Sequence, residues 1–245
     1  MKIICFLTVR PSELFYNYCK LLKNNNYDVY IFIDDNQYSI PNCDHTIHII
    51  KLDNKLCESE GFKNTVSYCK HKSCSRDKAL YYFCKDTTIN YEYIWFIEED
   101  VFIPDVDTIS KIDDNYKDGD LISESNAVCY DNKRNWSHWD MCIEECKLEL
   151  PFCKGMVCAI RVSPKMLTCI KDYANKHKTL FFCEILFNTL AYQNNLKIIN
   201  PKELSTIKYR RDWSKNEIQK THLYHPMKCI KTQYEYREYC NTNRD

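Results

Sequence analysis

The first 36 residues constrain the fold most, because they hold a strand-like run, a helix-like segment and a second strand-like run. Residues 2–8 (KIICFLT) and 27–36 (YDVYIFIDDN) are apolar runs, and the second ends in two acids before an asparagine. Between them, apolar residues from Leu14 to Leu22 follow helical spacing. This succession predicts two parallel strands joined by a right-handed crossover.

The same alternation continues along the chain. Residues 75–85 have the pattern of a helix, and residues 93–104 begin with a continuously apolar strand that suits the centre of a sheet. We predict further strands at residues 45–52, 120–123, 155–162 and 196–201, with helices that begin at Ser163 and at residue 179. Residues 126–150 are predicted as a loop. The sequence therefore predicts one α/β domain with a mostly parallel central sheet flanked by helices.

The composition excludes several classes of site. The chain has 34 basic and 34 acidic residues, so no net field attracts nucleic acid or a membrane surface. It has only three glycines, which excludes glycine-rich phosphate loops. No apolar run approaches the roughly 18 residues of a membrane span, and the N-terminal apolar stretch is too short for a signal peptide. We therefore expect a cytoplasmic protein without nucleic-acid partners or a transmembrane segment.

Sixteen cysteines are scattered along the chain. No CxxC pair occurs, whereas structural zinc sites normally show close pairs in matched sets. A disulfide framework is disfavoured because no secretion signal accompanies the cysteines. We expect most of these cysteines to be reduced and buried, where they act as small apolar side chains.

The stretch YIWFIEEDVFIP, residues 93–104, places three adjacent acids between two apolar segments. Residues two apart in a strand face the same side, so Glu98 and Asp100 are predicted to point together and Glu99 to point away. Two carboxylates at a strand end can hold Mg²⁺ or Mn²⁺, and the cation would neutralise a diphosphate without a glycine loop. The alternative is that the acids only end a strand and face solvent. The apolar residues that follow the three acids disfavour this alternative, because they place the acids inside an apolar segment.

Several motifs, in this order, resemble the nucleotide-sugar glycosyltransferases of the GT-A fold. WFIEEDVFIP resembles the DxD-type metal motif of that fold in an ExD variant, with Glu98 where Asp is more usual. SRDKALYYF (75–83) resembles the helix that precedes this motif. MVCAIRVSPKML (156–167) and HPMK (225–228) then follow in the expected order. The resemblance extends from residue 2 to about residue 228.

The resemblance implies a single GT-A, Rossmann-like domain over residues 1–245. It implies a nucleotide-binding half (1–104), an acceptor-binding half (105–204) and a tail (205–245) that returns to a metal. The implied contacts to the nucleotide sugar come from Thr8, Val9, Arg10, Asp34, Asp35, Arg76, Asp77, Lys78, Glu98, Glu99 and Lys228. The implied ligands of Mn²⁺ or Mg²⁺ are Asp100, Glu98 and His225, with His222 as a weaker substitute for His225.

Structural explanations stay open for several of these residues. Arg10 also suits the end of a strand, and Asp34 or Asp35 also suits an Asx turn. Asp77 near a helix start is also explained by the helix dipole alone. His225 also suits a surface loop.

The implied reaction transfers a sugar from a UDP-sugar, or from a GDP-sugar, to a hydroxyl of a glycan or another acceptor. An inverting reaction, favoured over a retaining one, needs a carboxylate that takes the proton of the acceptor hydroxyl. Glu184 is the first candidate, because it is a lone acid near the start of an apolar helix, and Asp140 is the second. Trp136 and Trp139 suit an acceptor sugar, and they suit core packing nearly as well.

Two other functions remain open. A nucleotidyltransferase acting on sugar phosphates would also use strand-end carboxylates and a metal, but it normally carries a glycine-rich N-terminal loop. A non-catalytic nucleotide- or sugar-binding module would not need the full set of acids and His225. The oligomeric state is left open. The abundance of Lys, Asn, Ile and Tyr indicates an AT-rich genome, which together with the resemblance favours a viral source and the host cytoplasm.

Overall fold

A seven-stranded sheet forms the centre of the computed structural model, which describes residues 1–23, 25–40, 46–64, 73–85, 89–130, 136, 138 and 146–242. The strands are β1 (Lys2–Thr8), β2 (Tyr27–Ile33), β3 (His48–Lys51), β4 (Tyr93–Glu98), β5 (Leu121–Ile122), β6 (Ala127–Cys129), β7 (Phe152–Lys154), β8 (Ala159–Val162) and β9 (Ile198–Ile199). β6 and β7 form a separate antiparallel ribbon, and the other strands form the central sheet.

Helices cover both faces of this sheet. They are α1 (Glu13–Lys23), α2 (Asn54–Ser59), α3 (Ser75–Lys85), α4 (Thr108–Asn115), α5 (Pro164–His177), α6 (Cys183–Gln193) and α7 (Ile230–Thr242), with 3₁₀ turns at Lys202–Leu204 and Lys215–Glu217. α1 and α4 pack on one face, and α3, α5 and α6 pack on the other. No helix in the described part of the chain is long and apolar enough to cross a membrane. The predicted fold class, an α/β domain with a mostly parallel sheet flanked by helices, is confirmed.

The order of the strands in the sheet is β3-β2-β1-β4-β8-β5-β9. β1 pairs in parallel with β2 and with β4, and β2 pairs in parallel with β3. β8 runs antiparallel to both of its neighbours, β4 and β5. The carboxyl ends of β1, β2 and β4 therefore meet at one edge of the sheet, and the amino end of β8 lies at the same edge.

β1 lies inside the parallel part of the sheet and is apolar on both faces. Ile3, Cys5 and Leu7 belong to the core on the α3 side, whereas Ile4 and Phe6 belong to the core on the α1 side. All five side chains are at most 4% exposed. Burial on both faces explains why this strand is a continuous apolar run and not an alternating one.

A buried ion pair joins α4 to β8. Arg161 Nη1 donates to Asp113 Oδ1 at 2.7 Å, and both side chains have 0% exposure. The same carboxylate accepts hydrogen bonds from the Trp95 indole at 3.0 Å and from the Tyr27 hydroxyl. Burying a charge is unfavourable unless it is paired and hydrogen-bonded, so Asp113 is the group that allows Arg161 to lie inside the protein.

The segment after residue 205 folds back along the residues that follow β4. Phe102 and Tyr224 form an antiparallel bridge across this contact. Gln233 of α7 donates to the carbonyls of Glu99 and Met227 at 2.9 and 2.8 Å. Helix α7 itself was not predicted, because it is held largely by polar contacts of this kind and shows little apolar periodicity.

Several predicted boundaries are wrong, and the errors have local causes. β2 ends at Ile33 because the acids after it begin a turn, and β8 begins only at Ala159. α6 begins at Cys183 and not at residue 179. The short helices α2 and α4 were not predicted. The loop predicted at residues 126–150 contains β6, and part of it lies outside the described residues, namely 131–135, 137 and 139–145.

The Asp113→Ala variant should lower the free energy of unfolding by about 3–5 kcal/mol, because it leaves the Arg161 charge buried without its partner. Urea denaturation of the full chain measures the effect. The matched control is Asp118→Ala, which removes an exposed acid paired with Lys197 and should leave the midpoint nearly unchanged. Equal effects of the two variants would contradict the importance of the buried pair.

Candidate functional site

The carboxyl ends of β1 and β4 and the start of α3 surround a cavity of about 430 Å³. Its lining consists of Leu7, Thr8, Val9, Cys74, Ser75, Arg76, Glu98, Glu99, Asp100, Lys228 and Ile230. The volume lies within the range of small-molecule sites, and open α/β sheets bind ligands at this edge. The predicted site residues that line this cavity are Thr8, Val9, Arg76, Glu98, Glu99, Asp100 and Lys228.

Glu98 is the last residue of β4 and contacts a buried arginine. Arg76 Nη2 donates to Glu98 Oε1 at 2.6 Å and to the Val157 carbonyl at 2.9 Å, while its Nη1 lies 3.0 Å from the Cys183 sulfur. The Arg76 side chain is 8% exposed and that of Glu98 is 35% exposed. The guanidinium therefore fixes one carboxylate oxygen of Glu98 and leaves the rest of the group at the cavity.

Glu99 has a partner of its own at the end of β1. Its carboxylate accepts a hydrogen bond from the Thr8 hydroxyl at 2.5 Å, which ties the end of β1 to the residue after β4. Burial raises the pKa of Glu99, the Thr8 hydrogen bond opposes this rise, and the charge of Asp100 adds to it. Glu99 thus has a structural partner, although it lines the same cavity as Glu98 and Asp100.

Asp100 meets His225, which the C-terminal segment brings back to the strand end. His225 Nε2 lies 3.5 Å from Asp100 Oδ1, and His225 Nδ1 lies 2.7 Å from the Lys208 carbonyl. Since a carbonyl only accepts, Nδ1 carries a proton and Nε2 is the atom directed at the acid. Burial lowers the pKa of His225, but the hydrogen bond and charge of Asp100 outweigh it, and the net pKa is raised.

A cysteine joins this group. The ligand atoms of Glu98, Cys158 and His225 all lie within 4.8 Å of one another. Sequence reasoning treated Cys158 only as one of many small apolar side chains. No single motif marks it, because its place depends on the antiparallel pairing of β4 with β8.

A second cavity of about 690 Å³ lies at the carboxyl end of β2. Most of its lining residues have carboxylate, amide or hydroxyl side chains, and the full lining is Val9, Asp34, Asp35, Asn36, Gln37, Asn54, Asn64, Ser73 and Cys74. Asp35 accepts from the Gln37 N–H at 2.9 Å, as an Asx turn does, and pairs with Arg10 at 2.5 Å. These two contacts account for the lowered pKa of Asp35. Val9 and Cys74 line both cavities, so the two are neighbours along the sheet edge.

Asp77 and Lys78 hold the framework around the cavities. Asp77 accepts from the Cys74 N–H at 2.9 Å, which caps the start of α3. Lys78 has 0% exposure, and its ammonium donates to the Asp34 carbonyl at 2.7 Å and to the Asn36 side chain at 2.8 Å. The lysine thus fixes the turn after β2, and neither residue is among those that line the two cavities.

Glu184 lies in the first turn of α6, next to the cysteine that Arg76 contacts. Burial raises the pKa of Glu184, the charge of Glu98 adds to this rise, and the charges of Arg76 and His225 oppose it. Glu184 is therefore close enough to these three groups for their charges to act on it.

Glu184 and Trp136 are not among the residues that line these two cavities. Asp140 and Trp139 lie outside the described residues. Trp136 stacks on Phe182 with ring centroids 5.9 Å apart, and the Lys154 ammonium lies 4.7 Å from its ring. His222 makes a hydrogen bond with the neighbouring Thr221 and is not among the residues that line these two cavities.

A third cavity, of about 500 Å³, adjoins the first through Lys228. Its lining is Arg210, Arg211, Asp212, Trp213, Pro226, Met227, Lys228, Cys229 and Thr232. The Arg211 guanidinium lies 4.2 Å from the centre of the Trp213 ring, and the Trp213 indole donates to the His225 carbonyl at 3.2 Å. Sequence reasoning missed this surface, although the run YRRDW at residues 209–213 contains its basic and aromatic groups.

No family model and no curated protein sequence matches the chain. Solved structures that are similar to it at low identity include the following three. The bifunctional IspDF from Campylobacter jejuni is 12% identical (TM-score 0.39) over 83% of this chain and 50% of that one, so this chain spans about half its length. A197 from STIV is 15% identical (TM-score 0.32) over 74% of this chain and 80% of that one. Mouse xyloside xylosyltransferase 1 in its apo form is 9% identical (TM-score 0.38) over 81% of this chain and 84% of that one. At these scores, the function has to be argued from the site itself.

Asp77 should make stability depend on pH. Burial raises its pKa from 3.8 to about 6. The folded protein therefore binds the proton more tightly than the unfolded chain does. Relative to Asp77→Asn, which keeps an oxygen for the cap, the wild-type free energy of unfolding should fall by about 2–3 kcal/mol as the pH rises through this interval.

Urea denaturation of both proteins between about pH 4 and pH 7 measures this difference. Asp53→Asn, a change at the exposed aspartate that caps α2, is the matched control for losing a charged cap. A constant difference between wild type and Asp77→Asn across this range would show that the pKa of Asp77 is not raised.

Proposed function

We propose that this chain is a metal-dependent glycosyltransferase of the GT-A type, which transfers a sugar from a nucleoside-diphosphate sugar to a hydroxyl of a glycan or another acceptor. One observation carries the proposal. Glu98, Asp100 and His225 converge at the carboxyl ends of parallel strands, beside a cavity that also exposes Lys228. Carboxylate and imidazole groups suit a divalent cation, and a cation together with a lysine suits a diphosphate.

Each of the two cavities at the sheet edge suits one part of such a donor. The base and ribose would lie in the cavity after β2, where carboxylate and amide groups offer hydrogen bonds. The diphosphate would lie in the neighbouring cavity, beside Asp100 and Lys228. In this proposal residues 1–104 bind the nucleotide, residues 105–204 the acceptor, and residues 205–245 complete the cation site. A UDP-sugar is the favoured donor, with a GDP-sugar second.

Mn²⁺ or Mg²⁺ fits the oxygen and nitrogen atoms that this site offers. A bound cation supplies charge that stabilises the departing diphosphate. The chain's own residues hold the arrangement: Arg76 fixes Glu98, and the Lys208 carbonyl orients the His225 ring. Lys228 adds positive charge at the exposed rim of the cavity.

Glu184 is the base that we favour for an inverting reaction. Its pKa is raised mainly by burial, which makes its carboxylate a stronger proton acceptor. The charges that act on it include those of Glu98 and His225 of the proposed cation site, together with those of Arg76 and Lys154. Asp140 remains the second candidate. The surface with Trp213 and Arg211 next to Lys228 is a further place where an acceptor sugar could stack.

Thermal unfolding of the full chain with UDP-sugars and GDP-sugars, with and without Mn²⁺, tests the donor and the cation together. A nucleotide sugar with Mn²⁺ should raise the midpoint more than either ligand alone, because each stabilises the folded state by binding to it. Release of nucleoside diphosphate in the presence of glycan acceptors then measures turnover. Asp100→Ala should abolish metal-dependent turnover while the circular dichroism spectrum is retained.

Glu92→Ala is the matched control, because Glu92 is an exposed acid at the opposite end of β4 and should leave turnover unchanged. Turnover that survives Asp100→Ala would count against the cation site. Stabilisation by free nucleoside triphosphates and not by nucleotide sugars would favour a nucleotidyltransferase, and no shift with any nucleotide would overturn the proposal.

Glu184→Gln should reduce the turnover number by about 10²–10⁴-fold, because the amide cannot accept the proton of the acceptor hydroxyl. Donor binding, read from the thermal shift, should change little. An unchanged turnover number would remove Glu184 as the base. Glu149→Gln, at an exposed acid outside the three cavities, is the matched control.

A further inference from the structure

We propose that Cys158 is a sulfur ligand for a cation that it binds together with Glu98 and His225, and that this thiol makes the site prefer Zn²⁺ or Co²⁺ to Mn²⁺ or Mg²⁺. The inference concerns the cation site of the proposed function. It does not depend on sugar transfer, because the three side chains come together without a nucleotide.

The backbone places Cys158 beside Glu98. In the antiparallel ladder of β4 and β8, Ile97 lies opposite Ala159, so the next pair along the ladder is Glu98 and Cys158. The Glu98 N–H donates to the Cys158 carbonyl at 2.8 Å, which continues the ladder by one pair, formed by the last residue of β4 and the residue before β8. Side chains of residues that face each other in such a pair start only about 5 Å apart.

Separate backbone contacts bring His225 to the same place. His225 forms a parallel bridge with Ile207, and the Met227 N–H donates to the Asp100 carbonyl at 2.7 Å. His225 is 8% exposed and Cys158 is 7% exposed. The histidine and the cysteine are thus held at the site by hydrogen bonds of their own segments, and they do not depend on flexible surface side chains.

The three ligand atoms have the chemistry of a zinc site. A thiol sulfur, an imidazole nitrogen and a carboxylate oxygen are the donors that Zn²⁺ combines in proteins, and three protein ligands leave a position open for water or substrate. Mg²⁺ and Mn²⁺ favour oxygen ligands and gain little from sulfur. In the described part of the chain, this is the one group of three or more His, Cys, Asp or Glu residues with ligand atoms this close together.

Neighbouring groups also favour the softer cations. Arg76 binds Glu98 Oε1, so part of the negative charge of that carboxylate is already neutralised. This neutralisation weakens the binding of a hard cation, which relies on carboxylate charge, more than the binding of a cation that also bonds to a thiolate. The Lys208 carbonyl accepts the Nδ1 proton of His225, which leaves Nε2 as the ligand atom, as in other histidine–metal sites.

Cobalt absorption tests the sulfur ligand without nucleotide, sugar or turnover. The full chain, reduced and freed of metal, is titrated with Co²⁺. A thiolate-to-cobalt charge-transfer band should rise in the near ultraviolet and saturate at about one equivalent, and Zn²⁺ should remove it by displacing the cobalt. Cys158→Ser should abolish the band and weaken Zn²⁺ binding by at least about tenfold, while Mn²⁺ binding should change by less than about threefold.

Cys153→Ser is the matched control, because Cys153 is another buried cysteine and belongs to β7, away from the group. It should keep the band and the Zn²⁺ affinity. Should Cys158→Ser fail to fold, the wild-type titration and a His225→Ala variant still decide, because loss of His225 should weaken Co²⁺ binding to a similar degree.

Absence of the band in the wild-type protein would overturn the proposal. Persistence of the full band in Cys158→Ser would also overturn it, because another thiol would then bind the cobalt. The two proposals fail separately. A cobalt–thiolate band without any stabilisation by nucleotide sugars would contradict the transferase alone, and Mn²⁺-dependent transfer without the band would contradict the sulfur ligand alone.

Discussion

The buried guanidinium of Arg76 organises the candidate site. It contacts Glu98 at the end of β4, the Val157 carbonyl before β8 and the Cys183 sulfur at the start of α6, while its own backbone belongs to α3. A buried cation requires a carboxylate nearby, so the pair of Arg76 and Glu98 is as much a condition for folding as a feature of the site. The consequence is that the carboxylate is already in position before any ligand arrives.

The direction of β8 decides which residues meet Glu98. Were β8 parallel to β4, its first residues would lie at the opposite edge of the sheet. Because it is antiparallel, the residue before it, Cys158, lies beside the end of β4. The buried pair of Arg161 and Asp113 contributes to this arrangement, since it joins β8 to α4, the helix that follows β4. Asp113 also accepts a hydrogen bond from the indole of Trp95 on β4. One reversed strand thus brings a sulfur atom to an edge that parallel strands supply with carboxylates.

The sequence allowed the parallel half of the sheet to be predicted, because β1, β2 and β4 are apolar runs and α1 and α3 have helical periodicity. The alternation rule does not set the directions of Glu99 and Asp100, because β4 ends at Glu98 and a turn follows. The position of Cys158 could not be predicted, because it follows from the order and direction of strands far apart in the chain. The resemblance placed Lys78 among the contacts to the nucleotide sugar, whereas here its ammonium completes a buried turn. Helix α7 was not predicted, because polar contacts hold it against the rest of the protein and its sequence shows little apolar periodicity.

Gln233 has a consequence for the order in which the site is completed during synthesis. It holds the carbonyl of Glu99, although it lies 134 residues further along the chain. A ribosome therefore releases the strand with the three acids long before it releases the histidine and the glutamine that close over them. During that interval the nascent chain carries its carboxylates without the imidazole. The ligands of the proposed cation site would therefore all be present only after the C-terminal segment has folded back onto the end of β4.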